Sequence, residues 1–287
     1  MSIRQITIIG TGLIGGSFAL ALRKRRFAGV IVGCDRESVL KKAKSRGVIE
    51  KGFAEPADAV RGSQLVVLAT PVLAIVDLIG RLGPALPAST LLTDVGSTKA
   101  AVAEQALRVF GKNAGKRFLA GHPMAGKENS GVDYADADLF QNAVWFLTPL
   151  PGQSLQGGLL AEFAGWIDQI GARIAMLAPE DHDRLCAWIS HLPQMISTAL
   201  AAELVEEFGE DAPLLPAGGR ALREMTRISA SPYSMWRDIA ISNKKNLEDA
   251  LFKVEQRLAH IRENLTTRAL AQEFEQAHGL KKSATKK

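Results

Sequence analysis

The sequence predicts an α/β fold, with a doubly wound parallel sheet in the first part of the chain and an all-helical domain after it. Three observations predict it. Short β-branched runs alternate with helix-length segments up to about residue 178. The first run passes directly into a glycine-rich turn that opens a helix. From Pro179 onward there is no convincing strand pattern. At about 150 residues per domain, 287 residues make two domains. The expected division is 1–178, 179–280 and a flexible basic tail, 281–287.

Each element follows from its residues. Residues 6–9, Ile-Thr-Ile-Ile, read as a buried strand, and residues 12–25 as a helix with Leu13, Phe18, Leu20 and Leu22 on its apolar face. Residues 30–33 form a second strand ending at Cys34 and Asp35. Residues 65–68 form a third, and 90–93 a fourth that ends at Asp94; 118–120 and 144–147 are weaker strands. Strands alternating with helices imply right-handed crossovers and a parallel sheet. A long helix is expected from Pro179 to about Glu207, kinked at Pro193. Leu247, Leu251, Val254, Leu258, Ile261 and Leu265 recur at alternating steps of four and three. That seam suits either an internal core helix or a helix paired across a dimer.

Composition removes several function classes. The chain is 47% apolar and 23% charged, the balance of a globular protein rather than a disordered one. Net charge is only +5, the basic residues are interleaved with acids, and aromatics are 6%, which does not suit nucleic-acid binding. Two cysteines, Cys34 and Cys186, do not suit a disulfide framework or a four-ligand zinc site. With no H-E-x-x-H or C-x-x-C, no metal is expected. Residues 5–22 are uncharged, follow Arg4 and contain Ala19-Leu20-Ala21, as a leader peptide would. Four glycines interrupt that run, however, and Arg23-Lys24-Arg25-Arg26 follows it. The uncharged stretch 139–161 holds Pro149, Pro151 and Gly152 and cannot be a spanning helix. A soluble, cytoplasmic protein with no membrane partner is expected.

Gly10-Thr11-Gly12-Leu13-Ile14-Gly15 is a G-x-G-x-x-G with a strand before it and a helix after it. The first glycine makes the tight turn, the second admits a pyrophosphate, and the third lets helix pack on strand. This is a Rossmann-type dinucleotide site, with Gly10, Gly12, Leu13, Ile14 and Gly15 as cofactor-binding residues. Asp35 stands 20 residues after Gly15 at the end of the second strand. A carboxylate there accepts from a ribose 2′-hydroxyl and repels a 2′-phosphate, favouring NAD over NADP. Arg36 beside it is the candidate for a 2′-phosphate.

Loops at the carboxyl ends of the strands should carry the remaining chemistry. Ala69, Thr70 and Pro71 follow the third strand and flank the cofactor. Ser97 lies in the segment after the fourth strand, and His122, between Gly121 and Pro123, on the loop after the next. An imidazole with an ordinary pKa of about 6.5 is a workable base at neutral pH, and the Ser97 hydroxyl can orient it or the substrate. His182, within Glu180-Asp181-His182-Asp183, reads as acid-rich helix-start chemistry rather than a metal ligand, and His260 and His278 as exposed helix positions.

Five ordered motifs, taken together, resemble the prephenate/arogenate dehydrogenase family of tyrosine biosynthesis. They are residues 10–16, the D-x-x-S-x-K of Asp94 to Lys99, His122-Pro123-Met124-Ala125-Gly126, Ser190-His191-Leu192-Pro193, and Thr226-Arg227-Ile228 with Met235-Trp236-Arg237-Asp238. The resemblance implies hydride transfer from a cyclohexadienyl ring to NAD, with loss of carbon dioxide and aromatisation. It implies His122 as the base on the ring hydroxyl, Ser97 hydrogen-bonding there, Arg227 on a substrate carboxylate and Trp236 lining the pocket. His191 approaches the substrate in the same reading. Arg223 and Glu128 join an ion-pair network at the pocket mouth, and Gln194 stands where some relatives carry a histidine tied to tyrosine inhibition. It also implies that the helical half is a dimerisation domain, so a homodimer is expected, with tyrosine a possible inhibitor. Two other readings remain: a β-hydroxyacid dehydrogenase of the same architecture, for which Lys99 would be the candidate catalyst, and a non-catalytic NAD sensor.

Overall fold

The computed structural model describes residues 2–127, 129–209 and 215–284. Eight strands form one sheet: β1 (Gln5–Ile9), β2 (Val30–Cys34), β3 (Lys51–Phe53), β4 (Leu65–Leu68), β5 (Leu91–Asp94), β6 (Phe118–Pro123), β7 (Val144–Thr148) and β8 (Arg173–Met176). Their spatial order is β3-β2-β1-β4-β5-β6-β7-β8. The first six are parallel and reverse direction of growth between β1 and β4, so the crevice beyond the carboxyl ends of those two strands is the natural ligand site.

Residues alternate between the sheet's two faces, and the core divides accordingly. Ile6, Ile8, Leu65 and Val67 pack on one side with Phe18, Trp145 and Phe163; Ile9, Val66 and Leu68 pack on the other with Ile75, Ile79 and Phe110. The helices that cover the sheet are α1 (Leu13–Lys24), α2 (Glu37–Ser45), α3 (Pro56–Ala59), α4 (Val72–Leu82), α5 (Ala100–Phe110), α6 (Ala114–Arg117) and α7 (Gly158–Gln169). On α1, Phe18 and Leu22 are fully buried, whereas Leu13 and Leu20 are half-buried.

Three departures from expectation concern the sheet. β3 has no apolar run, and the short run of β8, Ile174 to Met176, is largely exposed; Lys51 and Arg173 are exposed as well, so neither strand shows the buried pattern of the central ones. The expectation of a wholly parallel sheet fails at β7, which pairs antiparallel to β6. The connection between them holds one short 3-10 turn, Val132–Tyr134, and no crossover helix; only an antiparallel partner is reachable that way. That pairing lengthens β6. Phe118 and Leu119 pair with β5, while the next four residues pair with β7, His122 opposite Phe146. His122 therefore sits on a strand, not on the loop that the sequence suggested.

The second half consists of α8 (Pro179–Cys186), a π-helical turn (Ala187–His191), α9 (Leu192–Phe208), α10 (Gly219–Thr226), α11 (Tyr233–Ser242), α12 (Lys244–Glu263) and α13 (Arg268–Ala284). The single long helix expected to Glu207 is thus broken by a widened turn just before Pro193, which has no N–H for the α-helical bond. The apolar seam of α12 and the turn after it is split: Leu247 is buried in this chain, whereas Leu258 and Leu265 are about 60% exposed. The expected tail is corrected at its start, because α13 continues to Ala284. Residues 285–287 lie outside the described residues. No helix among the described residues is long and apolar enough to cross a membrane.

Candidate active site

The strand-to-helix turn after β1 has the geometry of a phosphate cradle. Gly10 has φ +95°, and a Cβ there would stand 2.5 Å from the Ala69 carbonyl oxygen. A Cβ on Gly15 would stand 2.1 Å from the Gly10 carbonyl oxygen, so close helix–strand contact demands glycine. Gly12 is different: nothing lies within 4 Å of a Cβ there, and the space above it is open. No side chain caps α1, which leaves its first N–H groups for an anion. Asp35 is held rigid at the end of β2: its Oδ2 accepts from the Thr11 N–H at 2.9 Å, and its Oδ1 from the Arg36 N–H at 2.8 Å. Arg36 itself is exposed. The open space over Gly12 and the fixed carboxylate fit a pyrophosphate and a ribose diol.

Gly12, Leu13 and Ile14 line one side of a cavity of about 560 Å3, next to Ala69, Thr70 and Pro71. Ser97 and His122 line its floor, and the helical half closes it with Ser190, Met235 and Trp236. Residues of both halves therefore meet in one cleft.

The Asp94 to Lys99 segment is closed by its own ends. The Lys99 ammonium donates to Asp94 Oδ2 and to the Gly121 carbonyl at 2.7 Å, and both side chains are fully buried. Asp94 also accepts from the Gly96 N–H at 2.8 Å, and burial raises its pKa against the opposing pull of Lys99. The clamp presents Ser97 to the cavity and ties the segment to the residue before His122. It also seals Lys99 away from the cavity, which removes the candidate catalyst of the β-hydroxyacid reading.

Behind His122 lies a buried chain of hydrogen bonds. His122 Nδ1 is 2.9 Å from His182 Nε2, and His182 Nδ1 is 2.8 Å from Asp183 Oδ1. The ionised Asp183 can only accept, so His182 carries its proton on Nδ1 and accepts at Nε2. His122 must then carry its proton on Nδ1. Its Nε2 is left as an unprotonated acceptor on a ring that lines the cavity. Asp183 is itself fixed by the Lys99 and Ala100 N–H groups at 2.7 and 2.9 Å. Burial pushes the His122 pKa well below the ordinary imidazole value, and His182, Lys99 and His191 push it further in the same direction. The ring is neutral at neutral pH.

His191 is buried and tautomerically defined as well. Asn243 Nδ2 donates to the Asp183 carbonyl at 2.8 Å and faces His191 Nδ1 at 3.1 Å, while Asn243 Oδ1 accepts from Asn246. His191 Nδ1 is thus an acceptor and its proton is on Nε2. Among the described residues neither His191 Nε2 nor Trp236 Nε1 has a hydrogen-bond partner, although both are buried. The two rings meet edge to face at 6.0 Å. Two unsatisfied donors beside the cavity call for acceptor oxygens on a ligand.

Two models of the prephenate dehydrogenase family match the chain: the nucleotide-binding domain over residues 18–176 and the dimerization domain over residues 178–278. The chain belongs to the prephenate dehydrogenase family. It is 33% identical to a prephenate dehydrogenase of Lactococcus lactis over 88% of this chain and 72% of that protein. It is 32% identical to a cyclohexadienyl dehydrogenase of Zymomonas mobilis over 84% of this chain and 81% of that one. Its structure resembles an Aquifex aeolicus prephenate dehydrogenase complexed with hydroxyphenyl propionate and NAD+, with TM-score 0.86, 30% identity and coverage of 99% and 98% of the two chains. A Synechocystis arogenate dehydrogenase superposes with TM-score 0.77 at 29% identity, over 98% and 99% of the two chains.

Within this family framework the expected site residues fall into three groups. Ser97, His122, Trp236, Ala69, Thr70, Pro71 and the glycine turn converge on the cavity. Among the described residues no hydrogen bond joins Ser97 to His122, whose Nδ1 faces His182. Gln194 is buried behind the wall, its amide donating to the Ile228 carbonyl at 2.9 Å and to Thr198. Arg223 and Arg227 are exposed and do not line the cavity; they stand on and just after α10, outside its mouth. Glu128 lies outside the described residues. Sequence reasoning missed Lys127, a cation of the cavity wall paired with Asp136 at 2.9 Å. It also misread His182, taken as a helix-start polar group. His182 is fully buried because Phe146 of β7 packs on it, at 5.3 Å between rings. The available signal was His182 and Cys186 at i and i+4, one helix face carrying two polarisable groups.

Proposed function

We propose that this chain oxidatively decarboxylates prephenate, arogenate or both, passing hydride to NAD, as a late step of tyrosine biosynthesis. The observation that carries the reading is the Asp183–His182–His122 chain, which leaves an imidazole acceptor on the wall of a cavity shared with a dinucleotide turn. NAD, when bound, supplies the hydride acceptor. Gly12 and the α1 N-terminus hold its pyrophosphate, and Asp35 its ribose.

The rest falls to side chains of this protein. His122 Nε2 takes the proton of the ring hydroxyl as the carbon beneath it loses hydride. The ring carboxylate leaves as carbon dioxide, its bonding electrons complete the aromatic ring, and His122 returns the proton to the ring oxygen. The leaving of carbon dioxide is downhill, so alignment and one base suffice. Ser97 hydrogen-bonds the same hydroxyl, and His191 Nε2 and Trp236 Nε1 donate to substrate oxygens. Arg227 meets a substrate carboxylate from the cavity mouth, supported by Arg223 and Glu128, while Gln194 holds the backbone at Ile228.

In this reading the sheet-bearing half, 1–178, binds the cofactor and the helical half, 179–280, completes the substrate site and pairs two copies. The uncovered Phe252 and Leu258 on α12, Leu265 in the turn after it and Phe274 on α13 support a homodimer. Tyrosine, with the product's ring and a carboxylate, suits the same cavity as an inhibitor, and the site of action is the cytoplasm. The test is reduced-nicotinamide formation by purified protein on each substrate with NAD and NADP, beside His122→Asn. Turnover of either substrate, abolished in the variant with NAD binding intact, is expected. Silence on both overturns the assignment.

A further inference from the structure

Three donor atoms meet behind the cavity wall where the proposed reaction needs only two. His122 Nδ1, His182 Nε2 and Cys186 Sγ lie within 4.8 Å of one another, and all three residues are buried. The separations are 2.9 Å between the imidazoles, 3.4 Å from Sγ to His182 and 4.0 Å from Sγ to His122. A tetrahedral zinc ion with bonds of about 2.0–2.1 Å to nitrogen and about 2.3 Å to sulfur needs ligand separations of about 3.3 and about 3.6 Å. The imidazoles must part by a few tenths of an ångström, and the sulfur already stands at the required distance on average.

The surroundings fit a coordinating site as well as the distances do. His182 donates its other nitrogen to Asp183, the carboxylate–histidine arrangement that orients a metal-bound imidazole. Asp183 is anchored in turn by two backbone N–H groups. The donor set of two imidazoles and a thiolate suits a borderline-soft transition ion and is wrong for Mg2+ or Ca2+. His122 also lines the cavity, so the cluster lies directly behind the cavity wall, and three protein ligands leave a fourth position for water.

We propose that His122, His182 and Cys186 form a binding site for one zinc-like divalent ion, and that its occupancy switches the enzyme off. The switch follows from proton positions. With the site empty, a proton on His122 Nδ1 is shared with His182. An ion takes that place: Cys186 loses its thiol proton to solvent, and His122 Nδ1 must offer its lone pair. The neutral ring then carries its proton on Nε2, the atom that has to accept from substrate. This second half of the proposal rests on the reading of His122 as the base; the first half does not.

The experiment uses the purified, chelator-treated full chain and Co2+, with Zn2+ as competitor. A single Co2+ per chain should produce a thiolate-to-cobalt charge-transfer band, which Zn2+ then removes. Full occupancy should lower turnover about a hundredfold or more, since the base supplies about 10²–10⁴ in rate, and chelator should restore it. Cys186→Ala should keep its metal-free activity, lose the band and need at least about tenfold more metal for inhibition. Absence of the band in wild-type protein overturns the proposal, as does a Cys186→Ala variant inhibited at the same metal concentration. A band with unaltered turnover overturns the switch. If neither cyclohexadienyl substrate is turned over without metal, the proposed function fails while the band still decides the site.

Discussion

The proton arrangement behind His122 can be tested by replacing His182 in two ways. His182→Leu keeps bulk against Phe146 but removes the acceptor 2.9 Å from His122 Nδ1. The reactive tautomer then has a buried Nδ1–H facing only the weak acceptor Cys186 Sγ at 4.0 Å, and losing the imidazole acceptor costs about 1–3 kcal/mol. The other tautomer, with its proton on Nε2, escapes that cost but cannot accept from substrate. At about 1.4 kcal/mol per tenfold, the reactive fraction falls about 5- to 150-fold. His182→Gln returns an acceptor oxygen near the position of Nε2 and should recover most of the loss. The assay is steady-state formation of reduced nicotinamide, with kcat/KM for the cyclohexadienyl substrate as the readout and the NAD dissociation constant as control. The Leu variant should lose kcat/KM with NAD binding unchanged. If Leu and Gln fall equally, or if Leu keeps wild-type kcat/KM, the tautomer argument is refuted.

Four further outcomes follow from the same geometry. His122 and His191 are both held below the ordinary imidazole value, His191 at about 4, so the unfolded chain binds more protons between about pH 4 and 6.5. Stability should therefore fall as pH drops through that window, read as a declining Tm, and a Tm independent of pH there would contradict the burial of the two rings. The rate should be flat from pH 8 through 6.5, because the base is already neutral. Asp35→Ala should weaken NAD binding about 10- to 150-fold, the worth of hydrogen bonds to a charged group, and raise kcat/KM with NADP; unchanged selectivity removes Asp35 from the ribose. Arg227→Ala should raise substrate KM about 30-fold or more if its carboxylate pair is desolvated on binding, and an unchanged KM places the guanidinium outside the site.

The cofactor half was legible in the sequence because its requirements are local. A glycine turn between a strand and a helix needs particular backbone freedom at adjacent positions, and Gly10 and Gly15 show it in their contacts with Ala69 and with each other. The strands with continuous apolar runs were equally legible. The edge strands β3 and β8 were not, since exposed Lys51 and Arg173 carry no periodic signal. The direction of β7 was lost for a different reason: strand propensity does not say which way a strand runs.

The chemical site divides along the same line. His122 and Ser97 stand in short motifs whose neighbours announce them, so the sequence alone determined the nucleotide turn, the family and the residue proposed as base. Only the tertiary structure decided what lies behind that base. His182 and Cys186 come 60 and 64 residues later on a helix whose acidic start looks solvated. They become buried partners only because antiparallel β7 extends β6 and carries Phe146 over them. Arg227 shows the converse: its motif is plain, yet in the fold it is exposed and does not line the cavity. Local motifs are read from spacing because backbone geometry acts over a few residues; burial, tautomer and charge depend on segments that only the fold brings together.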